Sequence, residues 1–185
     1  MTTSARTANK LASISTMFAL KHFDNLFSQA ELPGDLPEQV KNTILQSLDN
    51  VNHGAYSDKA LNYLRDVFKA QHSNHRLRNM YFIVAYHQDS GKLAGFAGIE
   101  KNGVDNGYEY TFTYLQVKPE FTRKGLGTYL NQAREGVLLR HNISEAYTKT
   151  LLFPETIQFQ FASGFGIHTD QRGLNYHVRM HKNID

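Results

Sequence analysis

The chain has no cysteine among its 185 residues, so disulfides, thiolate metal sites and a cysteine nucleophile are all excluded. No apolar run approaches the roughly 20 residues that span a bilayer, and MTTSARTANK at the start lacks the apolar centre of a signal peptide. A soluble, cytoplasmic protein is the expectation. Charge of one sign is also in short supply: the formal net charge is +3 and the basic residues are scattered, which argues against a nucleic-acid partner. No repeat and no low-complexity stretch is visible. What remains is 41% hydrophobic and 20% charged, the make-up of one globular domain with a proper core. Residues 1–11 read as a flexible N-terminal segment and 12–185 as a single domain, with a homodimer left open.

The apolar pattern changes period along the chain. Ile14, Thr16, Phe18 and Leu20 alternate with more polar neighbours, which predicts a first strand, and Phe23, Leu26, Phe27 and Ala30 follow at helical spacing. Asp35-Leu36-Pro37-Glu38 has the form of a capping box ahead of a helix through Leu48, and Ser57 is the N-cap expected for a third helix burying Leu61, Leu64 and Phe68. Tyr81–His87 is almost wholly apolar, as in a central strand, and Asp89-Ser90-Gly91 turns it into Leu93–Glu100. A third strand of this meander, Tyr108–Val117, ends at Pro119, which cannot donate to a sheet ladder. Leu126, Leu130, Ala133 and Val137 then mark an amphipathic helix over Leu126–Arg140, and Ala146–Leu152 returns as a strand. A crossover of that length returns parallel, so the chain reads as α/β with a mixed, mostly antiparallel sheet. A further helix from Pro154, with an apolar pair at Ile157 and Phe161, ends at Gly164, and Gly166–Asp170 and Leu174–His181 close the sheet.

The stretch most suggestive of chemistry is Arg123-Lys124-Gly125-Leu126-Gly127-Thr128. A helix starts with four backbone N–H groups that have no intrahelical partner, and here two glycines would admit a ligand while two cations flank it. Such an end holds phosphate. Glycines at a helix start also serve tight turns, so the spacing by itself leaves both readings open. Neither a P-loop nor a dinucleotide fingerprint is present.

The longer string Val117, Pro119, Gly125, Gly127 resembles the acetyl-CoA pyrophosphate motif of the GNAT (GCN5-related) N-acetyltransferases. Thr122 stands where that family has Gln or Arg. Phe153-Pro154 through Gly164-Phe165 is similar to a second family segment, with Phe153 in place of Asn and Gln160 in place of Tyr. The resemblance implies a single-domain fold of about seven strands, helices on both faces, and a splay between the fourth and fifth strands that admits the pantetheine arm. It implies acetyl-CoA as cosubstrate, no metal, and a primary amine, of a small molecule or a peptide N-terminus, as acceptor. Leu115, Gln116, Val117, Arg123, Lys124, Gly125, Leu126, Gly127, Thr128 and Phe153 would contact the cosubstrate. Glu109–Val117 is similar to the corresponding strand of ribosomal-protein alanine N-acetyltransferases, which makes Glu109 the candidate base, with Glu100 as the second candidate. Gln160 sits at the position of the family's proton-donating tyrosine, though an amide can only donate a hydrogen bond.

Two other readings stand beside transfer: a non-catalytic acyl-CoA sensor of the same fold, and an interaction domain whose glycines only make a turn. Strict alternation along the fourth strand would put Glu109, Thr111, Thr113, Leu115 and Val117 on one face and Tyr114 on the other, unless a bulge intervenes. The pairs His72/His75 and His177/His181 lack a third ligand and read as solvated histidines. His53 lies in the loop where the family builds its acceptor pocket.

Overall fold

A computed structural model describes residues 12–27, 39, 42, 80–105, 107–152, 154–170 and 177–185. Seven strands form one sheet in the order β1-β2-β3-β4-β5-β7-β6. They are β1 Phe18–Asp24, β2 Met80–His87, β3 Leu93–Val104, β4 Gly107–Val117, β5 Glu145–Leu151, β6 Gly166–Ile167 and β7 His177–Asn183. Strands β1 to β4 are an antiparallel meander, and β5 lies parallel to β4 after the crossover helix α1, Leu126–Arg140. Helix α2, Pro154–Ala162, links β5 to β6. The bounds of α1 are those expected, because an apolar stripe, a glycine start and a polar stop all mark them. Asn142 (φ 57) takes the left-handed position that ends it, with Ile143 N–H donating to Leu138 O.

The core lies between α1 and one face of the sheet. Leu126, Leu130, Val137 and Leu138 pack on Ile83, Ala85, Ala97, Ile99, Phe112 and Met180, all buried. Met80, Phe82, Val84 and Phe96 are buried on the opposite face, so β2 is apolar on both sides as its sequence requires.

Three expectations need correction. Residues 12–17 are helical, and β1 begins only at Phe18. The hydroxyls of Ser15 and Thr16 donate back to Ala12 O and Ser13 O, three residues earlier, which suits a helical turn; Thr16, expected inside, is exposed. No helix starts at Phe23: β1 runs to Asp24, whose Oδ1 accepts from the N–H groups of Leu26 and Phe27 and bends the chain. Phe161, expected to be buried with Ile157, is exposed, and Gln160 is the buried residue of α2. Of the helix expected near Asp35–Leu48 only Gln39 and Asn42 are described, both helical, and the helix expected after Ser57, with Ala30, His53, His72 and His75, lies outside the described residues.

Candidate active site

The sheet opens at one place. Parallel pairing of β4 with β5 is confined to Thr111↔Tyr147 and Phe112↔Thr148, where the Thr148 hydroxyl also donates to Phe112 O at 3.1 Å. Beyond Phe112, β4 continues to Val117 without β5. The splay therefore parts β4 from β5 over Thr113–Val117.

Along the same stretch β4 slips by one residue against β3. Gly98 faces Thr113 but Phe96 faces Gln116, so β4 carries an extra residue, and Tyr114 takes the left-handed conformation at φ 51. The bulge reverses the alternation beyond it. Leu115 and Val117 join Phe112 on the α1 face, whereas the Tyr114 ring stacks on Phe82 on the other, centroids 6.2 Å apart. The expected grouping of Leu115 and Val117 with Glu109 thus fails, and Tyr114 lies on the Glu109 face. Gly98 makes room for this crossing: a Cβ there would stand 3.1 Å from Thr113 Cγ2.

Val117 leads through a 3-10 turn, Pro119–Phe121, into the start of α1. Phe121 anchors the turn, buried edge-on to Phe18 with the His87 ring stacked beside it. Thr122, in the place of the family's Gln or Arg, spends its hydroxyl on Pro119 O at 2.8 Å. Arg123 (φ 58) and Gly125 (φ 82) both adopt the left-handed region, and Gly125 is the N-cap with no side chain closing the first turn of α1. Arg123, Lys124 and Thr128 are exposed around that turn, with the Lys124 ammonium 5.4 Å over the Phe121 ring. This uncapped end beside the open edge of β4 suits the phosphates and arm of a coenzyme A thioester. Gly127 also lies against α2: a Cβ on it would meet the Phe159 ring at 3.4 Å, an ordinary contact distance. Phe153 lies outside the described residues.

Glu109 is buried, 9% exposed, on the face opposite α1. Arg179 of β7 donates to its Oε2, and the Thr111 hydroxyl to its Oε1 at 3.3 Å. The guanidinium also lies 3.7 Å from Asp170 and 5.2 Å over the Tyr147 ring. Glu100 is half-buried opposite Thr111 in the β3–β4 register. His181 is not a solvated surface residue: its ring packs on Tyr147 and His168, and its Nε2 is buried. Burial pushes the Tyr147 phenol up, with Glu145 adding to the shift. Among the described residues no three His, Asp or Glu side chains gather as a metal site. Gln160, 8% exposed, sits in the last turn of α2, and its Oε1 is buried with no hydrogen-bond partner among the described residues.

Sequence reasoning missed Arg134. It lies in the middle of the apolar stripe of α1, 1% exposed, and burial pushes its guanidinium down to about 9, with Glu135 opposing the shift. An arginine on an amphipathic helix reads as a solvated residue; only its place on the inner face, four residues beyond Leu130 and three before Val137, signals otherwise.

A mixed sheet splayed beside an uncapped, glycine-started crossover helix defines a class of acyl-CoA-binding α/β proteins. The chain belongs to the GNAT acetyltransferase family, whose model matches residues 44–153, more than half of its length. No curated protein matches it. Among solved structures it is similar to the PaiA N-acetyltransferase of Thermoplasma acidophilum in complex with coenzyme A, at 18% identity and TM-score 0.66 over 89% of this chain and 99% of that one. A GCN5-related N-acetyltransferase of Rhodopseudomonas palustris has 18% identity and TM-score 0.67, over 90% and 96%. An acetyltransferase of the GNAT family from Staphylococcus aureus has 14% identity and TM-score 0.59, over 90% and 100%. At these identities the likeness is one of fold.

Proposed function

We propose that this chain is an acetyl-CoA-dependent N-acetyltransferase acting on a primary amine. The observation that carries the reading is the uncapped start of α1 at Gly125, set beside the edge of β4 that β5 leaves after Phe112. Backbone N–H groups of the first turn would hold the pyrophosphate, and Arg123 and Lys124 would add charge. When bound, the cosubstrate supplies the acyl group. The part of β4 that β5 leaves, around Leu115–Val117, would offer backbone N–H groups to the acyl oxygen. The amine nitrogen bonds to the acyl carbon as the carbon–sulfur bond breaks, the electron pair leaving with sulfur. The amine proton passes to Glu109, directly or through water; both carboxylate oxygens are already hydrogen-bonded, but each keeps a second lone pair.

A second reading, an acyl-CoA sensor without turnover, draws on Gln160 and on the engagement of Glu109 by Arg179. Calorimetry with CoA tests the site, and release of free CoA across a panel of amines separates transfer from sensing. CoA binding with no amine acetylated would favour the sensor; no CoA binding would overturn both.

A further inference from the structure

Arg134 makes an unusual set of contacts. Its Nη1 donates to Gly98 O at 3.3 Å and to Thr113 O at 3.1 Å, and its Nη2 donates to Asn131 Oδ1. The Phe112 ring lies 4.2 Å from its Cζ, and among the described residues no carboxylate forms an ion pair with it. Asn131 in turn donates to Ser163 Oγ at 3.1 Å, and that hydroxyl to Phe159 O, which ties the cluster to α2. A fully buried cation without a counter-ion opposes folding, and an apolar side chain of similar length would fill the same stripe without that penalty.

What the guanidinium touches is the bulge. Gly98 and Thr113 are the cross-strand partners at the point where β4 slips against β3, and one nitrogen bridges their carbonyls. The next residue, Tyr114, carries the strained φ, and β4 has left β5 one residue before. Here, among the described residues, no strand pairs with β4 on the β5 side.

We propose that Arg134 is a positioning residue for acyl transfer: by clamping the carbonyls of Gly98 and Thr113 it holds β4, where β5 has left it, in the bulged register that sets this strand against the thioester. This rests on the transferase reading. Arg134 itself does not touch the reacting atoms and exchanges no proton with them.

The test compares Arg134→Met, which keeps length and removes every donor, with Arg134→Lys and with Val137→Ala, a packing control on the same helix. Arg134→Met should bind CoA within threefold of wild type, because the phosphate contacts lie two turns away at Gly125–Thr128. Its kcat should fall at least tenfold, by the same factor at pH 7 and pH 9, with partial recovery in Arg134→Lys. Amides of 113–117 should exchange with deuterium at least tenfold faster, while those of Ile83–Ala85 keep their rates. Val137→Ala should lower the melting temperature but not kcat. A folded Arg134→Met with kcat within threefold and unchanged exchange at 113–117 would overturn the proposal, as would an equal loss of kcat in Val137→Ala. Should Arg134→Met not fold, Arg134→Lys and Asn131→Ala, which removes one acceptor of the guanidinium, carry the same two readouts. A wild type that acetylates no amine would refute the transferase reading, and the exchange readout distinguishes that failure from failure of the clamp.

Discussion

Arg179 reaches from β7 across β5 to hydrogen-bond Glu109 on β4, so the candidate base is held by a residue 70 positions later in the chain. Both side chains are largely buried, 19% and 10% exposed. Removing one partner of such a pair strands the other, at a cost of about 3–5 kcal/mol when burial is complete. For Arg179→Gln we expect roughly 3 kcal/mol, the lower end of that range, because part of the guanidinium meets solvent. The double variant Arg179→Gln/Glu109→Gln should be more stable than the sum of the singles implies. Chemical denaturation of all four proteins checks this, and strict additivity would show the pair to be energetically idle.

Catalysis gives Glu109 a second test. Glu109→Gln keeps the shape and the hydrogen bond from Thr111 but cannot take a proton, so turnover at pH 7 should fall by roughly 10²-fold, as for loss of a general base. The deficit should narrow as pH rises, because more of the amine is then already deprotonated. CoA affinity should not change. A mutant-to-wild-type ratio that stays flat from pH 7 to 9.5 would transfer the role to Glu100 or to water.

The two glycines at the start of α1 should respond differently. Gly125 needs φ 82, which a β-branched residue resists, so Gly125→Val should disturb the N-cap and weaken CoA binding more than tenfold in calorimetry. Gly127 faces Phe159 instead. Gly127→Ala fits at 3.4 Å and should bind CoA normally, whereas Gly127→Val adds methyls that strike the ring and should lower the melting temperature. A Gly127→Ala protein that folds but has lost CoA would show that the ligand, rather than Phe159, occupies that side.

Elements with a strong period and clear punctuation were legible. Strands β2 to β5 and helix α1 fall within a few residues of their expected bounds, since Pro119, Gly125 and the turn at Asp89-Ser90-Gly91 mark where the period changes. The splay followed from the family resemblance. The start of β1 misled because Ile14, Thr16 and Phe18 alternate whether or not they pair, and only tertiary contact decides. The bulge at Tyr114 has no composition of its own; its one trace is Gly98 on the neighbouring strand, which reads as an ordinary strand glycine. Arg134 and Arg179 were missed for a related reason. Their partners are backbone carbonyls or a carboxylate far away in sequence, and neither leaves a local pattern.

The bulge itself can be tested through Gly98. A Cβ at this position would press on Thr113 Cγ2 at 3.1 Å and approach the Tyr114 ring at 3.4 Å, so Gly98→Ala should push β4 outward at the bulge. We expect a loss of about 1–3 kcal/mol, the usual range for overpacking, and a larger proportional loss of kcat than of CoA affinity. Equilibrium unfolding and single-turnover acetylation measure the two separately. A stability loss with kcat intact would mean that the path of β4 is not critical to the reaction.

Gln160 is the last case, and its energetics and its chemistry point the same way. Its Oε1 is buried without a hydrogen bond from the described residues, a condition that costs roughly 1–3 kcal/mol. Replacing it with Met keeps the length and removes the polar group, so Gln160→Met should be neutral or stabilising in denaturation. An amide has no proton to give a departing thiolate, and a thiol with a pKa of about 8.5, like that of cysteine, leaves readily without one. Gln160→Met and Gln160→Ala should therefore lower turnover little, and Gln160→Tyr, which restores the family's hydroxyl, should keep or raise it. Suppose instead that Gln160→Met folds, binds acetyl-CoA as tightly as wild type, and loses turnover a hundredfold. The buried amide oxygen would then be a group held ready for the bound substrate, and the thiolate would not be leaving unaided.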